Sequence, residues 1–137
     1  MKFPEKYIIR RERILHSGGK TNIFYDINAL LTDREYSTYL LENIPRANHY
    51  IGIATGGEVI AFGLSRLLSV KCSFVKDNEL KGEIPRLDYT LVDDVVTTGG
   101  SLEKAIKIIG KIPSMIVSAV DRRFENKNPE VYSIFQI

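Results

Sequence analysis

Tyr89-Thr90-Leu91-Val92-Asp93-Asp94-Val95-Val96-Thr97-Thr98-Gly99-Gly100-Ser101 is an apolar run that ends in two adjacent carboxylates and a turn of small hydroxyl and glycine residues. A helix-period segment, Leu102 to Ile112, follows directly. The order predicts a buried strand, a polar lip, a turn and a helix. Paired acids at the carboxyl end of a strand can grip sugar hydroxyls. A Thr/Gly/Ser turn opening a helix can aim backbone N–H groups and the positive end of the helix at a phosphate. The alternative is that Asp93 or Asp94 caps the next helix, but that helix starts several residues later. The expected ligand is a phosphorylated sugar.

The flanking segments repeat the strand–turn–helix theme. On the N-terminal side, His49 to Ala54 reads as a short strand, Thr55-Gly56-Gly57 as a turn, Glu58 to about Ser69 as a helix and Lys71 to Val75 as a second strand. The two glycines fit either the close approach of an anion or a tight turn alone. Lys76 to Arg86 is polar and aperiodic with a proline near its end, which predicts a surface loop. On the C-terminal side, Pro113 should stop the helix, Met115 to Val120 should form a strand, and Asp121-Arg122-Arg123 should be its polar exit. A last strand is expected over Val131 to Ile137. Two β-α-β units imply an α/β fold, a mostly parallel twisted sheet flanked by helices, with ligands held outside the carboxyl ends of the strands.

Towards the N-terminus the pattern loosens. Thr32-Asp33-Arg34-Glu35 has the form of a capping box, so a helix should start there, carry Tyr36, Tyr39, Leu40 and Ile44 on one stripe, and end before Pro45. Turn residues Ser17-Gly18-Gly19 between β-favouring stretches predict a hairpin over Leu15 to Ile27. Gly19-Lys20-Thr21 is not a P-loop, because Ile14 stands where that motif needs glycine and no helical pattern follows. Pro4 to Leu15 reads as a short helix or arm, with Arg10, Arg11 and Arg13 on a solvated face.

The 137 residues, 44% hydrophobic and 26% charged, suit a single domain that buries roughly two thirds of its unfolded surface. A small N-terminal hood of about residues 1–31 would precede a core of about 32–137. The net charge of +2 does not argue for nucleic acid. The lone Cys72 gives neither an intrachain disulfide nor a cysteine metal site, which fits a reducing, cytoplasmic setting. The N-terminal residues lack an apolar signal core, and no run reaches the roughly 18 apolar residues of a membrane span.

The stretch from Leu91 to Ser101 resembles the phosphoribosyl-pyrophosphate (PRPP) motif of the type I phosphoribosyltransferases. Within that family the chain is most similar to the orotate phosphoribosyltransferases. Ser17 to Asp26 resembles their N-terminal hood, Ile53 to Val59 their pyrophosphate loop, and Val120-Asp121-Arg122 their late arginine segment, all in family order. The resemblance implies PRPP held by Thr55, Gly56, Gly57, Asp93, Asp94, Val95, Val96, Thr97, Thr98, Gly99, Gly100 and Ser101. Lys20, Phe24, Tyr25, Thr97 and Arg122 would surround the base, and an arginine fork suits a carboxylate such as that of orotate. Asp93, Asp94, Lys76 and Lys81 would carry catalysis.

The same resemblance implies Mg²⁺ arriving with PRPP rather than on a protein site, and a homodimer. The segment from Lys76 to Arg86 is several residues shorter than the mobile loop of the enzymes it resembles and has no histidine. Gly100 stands where a hydroxyl residue is common. Two readings follow. One is a transferase making orotidine 5′-phosphate, or acting on another base. The other is a non-catalytic PRPP or nucleotide sensor that kept the cradle and lost the lid.

Overall fold

The computed structural model describes residues 1–12 and 21–137. A 3-10 turn at Glu5–Tyr7 leads into strand β1 (Ile8–Glu12), which pairs antiparallel with β2 (Thr21–Tyr25) from Ile8↔Tyr25 to Glu12↔Thr21. Strand β2 lies within the stretch expected to form a hairpin, but its partner is Ile8–Glu12, where a helix or arm was expected. Neighbouring β-branched residues Ile8 and Ile9 find a partner strand, which outweighs their weak helical pattern. The expected turn, Ser17 to Gly19, and Lys20 lie outside the described residues.

Two helices follow, α1 (Ile27–Thr32) and α2 (Arg34–Asn43). The capping box on Thr32 does not form. The Thr32 hydroxyl donates to the Ala29 carbonyl at 2.6 Å, closing the last turn of α1, and Asp33 caps α2 by accepting from the Glu35 N–H at 3.1 Å. Asp26 caps α1 in the same way, accepting from the Ala29 N–H at 3.1 Å. The predicted stripe of α2 holds: Leu40 and Ile44 are buried, and Tyr36 and Tyr39 pack on the same core.

The core sheet then forms from β3 (His49–Ile53), β4 (Lys71–Lys76), β5 (Glu79–Lys81), β6 (Thr90–Val96), β7 (Met115–Asp121) and β8 (Tyr132–Ser133). Its order is β5-β4-β3-β6-β7-β8, with β5 antiparallel to β4 and the other pairs parallel. Helix α3 (Gly56–Leu68) joins β3 to β4, and α4 (Gly100–Ile109) joins β6 to β7. Alternate strand residues enter two cores. Tyr50, Val92 and Val117 meet Ile60, Ala61 and Leu64 of α3, while Ile51, Leu91 and Ile116 meet Leu102, Ala105 and Ile109 of α4. The sheet is therefore covered on both faces, as its continuous apolar runs require.

Three boundaries differ from the sequence expectation. Helix α4 ends at Gly110 (φ 78°), whose N–H bonds the Ile106 carbonyl at 2.9 Å, so the left-handed glycine stops the helix ahead of Pro113. Lys76 to Arg86 is not all loop. Asp77 and Asn78, at φ 53° and 61°, make a tight turn of the kind that hairpins favour, and β5 pairs back on β4. The last strand is confined to Tyr132–Ser133.

Gly52 on β3 faces the first turn of α3, where a Cβ would overlap the Gly57 carbonyl oxygen and stand 2.8 Å from the Ala61 Cβ. Gly63, on the same helix, has only Leu41 methyls at 3.6 Å from such a Cβ. The two sites should respond with opposite sign. Gly52→Ala is expected to destabilise the fold by about 2–3 kcal/mol through overpacking, whereas Gly63→Ala should stabilise it by about 0.5–1 kcal/mol through helix propensity. Urea unfolding midpoints of the two variants check both.

Candidate active site

The chain leaves β3 towards β4 on one side and leaves β6 towards β7 on the other, so the crevice between β3 and β6 is a topological switch point. The carboxyl ends of β3, β6 and β7 open into the three turns that the sequence marks. After β3, the Ala54–Thr55 peptide is cis, and Gly56 and Gly57 form the first turn of α3 rather than a loop before it. After β6, Thr97 and Thr98 are exposed, Gly99 takes φ 91°, and α4 begins at Gly100.

The helix ends supply the electrostatics. Side chains cap α1 and α2, but no side chain bonds back from Thr55 onto α3 or from Gly99 onto α4. Both helices therefore present first-turn N–H groups, with the positive end of the dipole, to the switch point. On α4 the Thr98 hydroxyl takes only the Gly100 N–H, at 3.3 Å. Ser101 is exposed beside this turn, and Gly100 has open space around its Cβ position apart from the Thr98 hydroxyl at 3.5 Å.

The acids are held between these ends. Asp93 is 6% exposed and accepts the Asp94 N–H at 2.8 Å, and Asp94 accepts the Val95 N–H at 2.8 Å. A Cβ on Gly56 would overlap the Asp94 carboxylate and lie 2.6 Å from its Cβ. The bare backbone of α3 thus lets Asp94 reach the helix end. Burial, with the neighbouring Asp94 adding to it, pushes the Asp93 carboxyl up to about 8. Val96 is buried in the core beneath α4, and Val95 is partly buried against the core on the opposite face.

Arg122 and Tyr25 converge from two elements. The Arg122 guanidinium carbon stands 5.4 Å from the Tyr25 ring centroid, and the Arg122 N–H bonds the Val96 carbonyl at 2.8 Å. Tyr25 is fixed edge-on against Phe3 at 5.1 Å, and Phe24 beside it is exposed. Lys20 lies outside the described residues. The two lysines part company. Lys76 ends β4 on the site side, paired with Glu58 of α3 at 3.5 Å, whereas Lys81 sits on the returning strand opposite Phe74 and pairs with Glu79 at 2.8 Å.

Arg123 belongs to the candidate loop Asp121-Arg122-Arg123 that the sequence marks at the end of β7, but the sequence assigns it no role. It is 6% exposed and gripped by Asp121 through Nε at 2.9 Å and Nη2 at 3.0 Å. Burial opposes ionisation of Asp121, yet the bonds from Arg123 outweigh it and hold the carboxyl below its ordinary value. The visible signal is an acid and an arginine two apart at the end of an apolar strand, in a polar exit that is also a candidate ligand loop.

No family model matches the chain. The orotate phosphoribosyltransferase of Caldanaerobacter subterraneus subsp. tengcongensis is 33% identical, with the match covering 88% of this chain and 72% of that one. The orotate phosphoribosyltransferase of Aeropyrum pernix is 31% identical over 74% of this chain, which spans 63% of that relative's length, a little under two thirds. The crystal structure of the Aeropyrum protein superposes with a TM-score of 0.71 at 29% identity, covering 85% of this chain and 77% of that one. An adenine phosphoribosyltransferase from Thermoanaerobacter pseudethanolicus shares the fold, with a TM-score of 0.70 at 16% identity and 97% of each chain covered.

Asp93 binds its proton more tightly in the folded chain than in the unfolded one. Its contribution to stability is therefore complete below the unfolded value of about 3.9 and is lost as pH rises towards the folded one. Across about pH 5 to about pH 8, the unfolding midpoint of the wild type should fall relative to that of Asp93→Asn. Parallel pH profiles in urea titrations would show that Asp93 ionises as an ordinary carboxylate.

Proposed function

The chain belongs to the orotate phosphoribosyltransferase family, and from that premise we propose that it transfers the 5-phosphoribosyl group of PRPP to orotate, giving orotidine 5′-phosphate and pyrophosphate. The observation that carries this reading is the meeting of two helix N-termini without side-chain caps at a pair of carboxylates on the switch point. One helix end suits the 5′-phosphate and the other the pyrophosphate, with the ribose between them.

In this reading the backbone of Thr97 to Ser101 cradles the 5′-phosphate. Asp93 and Asp94 take the ribose 2′ and 3′ hydroxyls, and Thr55, Gly56 and Gly57 receive the pyrophosphate at the start of α3. Arg122, stacked on Tyr25, pairs with the orotate carboxylate, and Lys20 and Phe24 complete the base pocket. A base nitrogen attacks C1 of the ribose, the bond from C1 to the pyrophosphate oxygen breaks, and its electron pair leaves with the pyrophosphate. The chain's part is to align nucleophile, C1 and leaving group, and to hold fixed dipoles where charge develops.

Mg²⁺ fits this site as a companion of the substrate. Hard carboxylate oxygens of Asp93 and Asp94 stand at the ribose end, and they suit an ion that keeps most of its ligands on phosphate and water. When bound, Mg²⁺ would neutralise charge on the departing pyrophosphate. Among the described residues, no helix is long and apolar enough to cross a membrane, and we place the protein in the cytoplasm as a homodimer.

A second reading has its own support. The short β4–β5 hairpin sets Lys81 on the returning strand, paired with Glu79, and leaves Lys76 paired with Glu58, so both lysines of this segment are engaged by acids. A PRPP-binding protein without turnover would have that form, and so would an enzyme whose partner subunit supplies the missing charge.

Purified protein mixed with PRPP, Mg²⁺ and orotate should consume orotate, followed by its absorbance. PRPP binding by calorimetry without turnover on orotate or adenine would leave the sensor reading in place. Asp94→Asn is expected to lower kcat/KM by about a hundredfold. Arg122→Ala should raise the KM for orotate by about tenfold, a loss of about 1.4 kcal/mol, with a much smaller change for PRPP.

A further inference from the structure

The Arg123 guanidinium is fully committed on one side and unused on the other. Nε and Nη2 hold the Asp121 carboxylate, and the Arg123 N–H also bonds it at 3.1 Å. Nη1 is buried and has no hydrogen-bond partner, alone in this respect among the side-chain atoms of the described residues. A Cβ added to Gly99 would lie 3.7 Å from it. The free donor therefore stands against the turn that opens α4.

Buried guanidinium donors are almost always satisfied, because an unpaired one gives up its hydration for nothing. An orphan tolerated next to a ligand turn points to a second arrangement of that turn in which it is used. Gly99 carries the positive φ on which the turn depends, and Glu103 N–H bonds its carbonyl at 3.1 Å. An anion drawing the first N–H groups of α4 inward would reorient the peptides between Thr97 and Gly99. Their carbonyls are the acceptors nearest in sequence to the Gly99 contact.

We infer that Arg123 is a positioning residue for the phosphate end of the substrate: anchored on Asp121, it presents Nη1 to the Thr97–Gly99 turn and holds that turn in its anion-binding form. The inference rests on the cradle reading above. Arg123 does not touch the reacting atoms. Its loss therefore acts on the affinity for the phosphate end and leaves the base side alone.

Ribose 5-phosphate carries the phosphate end without a leaving group, so its binding by calorimetry tests the inference apart from turnover. Arg123→Lys keeps the charge but has a single nitrogen in place of the planar fork that holds both Asp121 oxygens and faces the turn on its other side. It is expected to weaken ribose 5-phosphate binding about tenfold, and to raise the KM for PRPP by a similar factor, with the KM for orotate within about twofold. If that variant does not fold, Asp121→Asn combined with Arg123→Met removes both buried charges together, which buried pairs often tolerate, and should show the same loss. Wild-type affinity in a folded variant would overturn the inference and leave the cradle intact. Failure of the wild-type protein to bind ribose 5-phosphate would overturn the cradle reading and the inference with it.

Discussion

The crevice at the switch point keeps its shape because the first turn of α3 presses onto the ends of β3 and β6 through glycines that carry no side chain. Gly52 and Gly57 leave room for one another, and Gly57 lies so close to β6 that a Cβ would overlap the Val92 carbonyl oxygen. Gly56 makes the same concession to Asp94. These absences let a helix end, a carboxylate pair and a strand terminus share one small volume. A single methyl group there would push the helix off the sheet and carry its N–H groups away from the acids.

That constraint explains the two kinds of helix start in the molecule. Away from the site, Asp26 and Asp33 satisfy the first-turn donors of α1 and α2 locally. At the site, no N-cap side chain bonds back onto α3 or α4, and the Thr98 hydroxyl takes only the Gly100 N–H. Donors without a cap forgo the stabilisation that a capping side chain gives. Asp93 adds to that loss, since burial and Asp94 together disfavour its charge.

Much of this was legible in the sequence, for reasons specific to each segment. Tyr89 to Ser101 carries long apolar runs, acids and glycines in an order that few other local structures would use, so strand, turn and helix were all readable. The expectation at Thr32 failed because Asp33 is an equally good cap one residue later and the hydroxyl of Thr32 found a carbonyl behind it. The β4–β5 hairpin was missed because Asp77-Asn78 lacks glycine, although both residue types tolerate left-handed backbone. The pairing of Arg123, though not its place in a candidate loop, was unreadable for a different reason. Its partner choice, Asp121 rather than solvent, depends on burial that only the packed sheet provides.

The margins of the sheet carry a further consequence. One edge is the three-residue strand Glu79–Lys81, whose charged ends pair with each other, and the other is the two-residue strand Tyr132–Ser133, with Lys2 bridging to Gln136 beyond it. Edges this short, salted or covered give an incoming strand almost nothing to zip onto. The buried parallel strands, which would be sticky if exposed, sit between two poor templates. The hairpin that sets Lys81 on the returning strand thus also acts as a guard against runaway sheet growth.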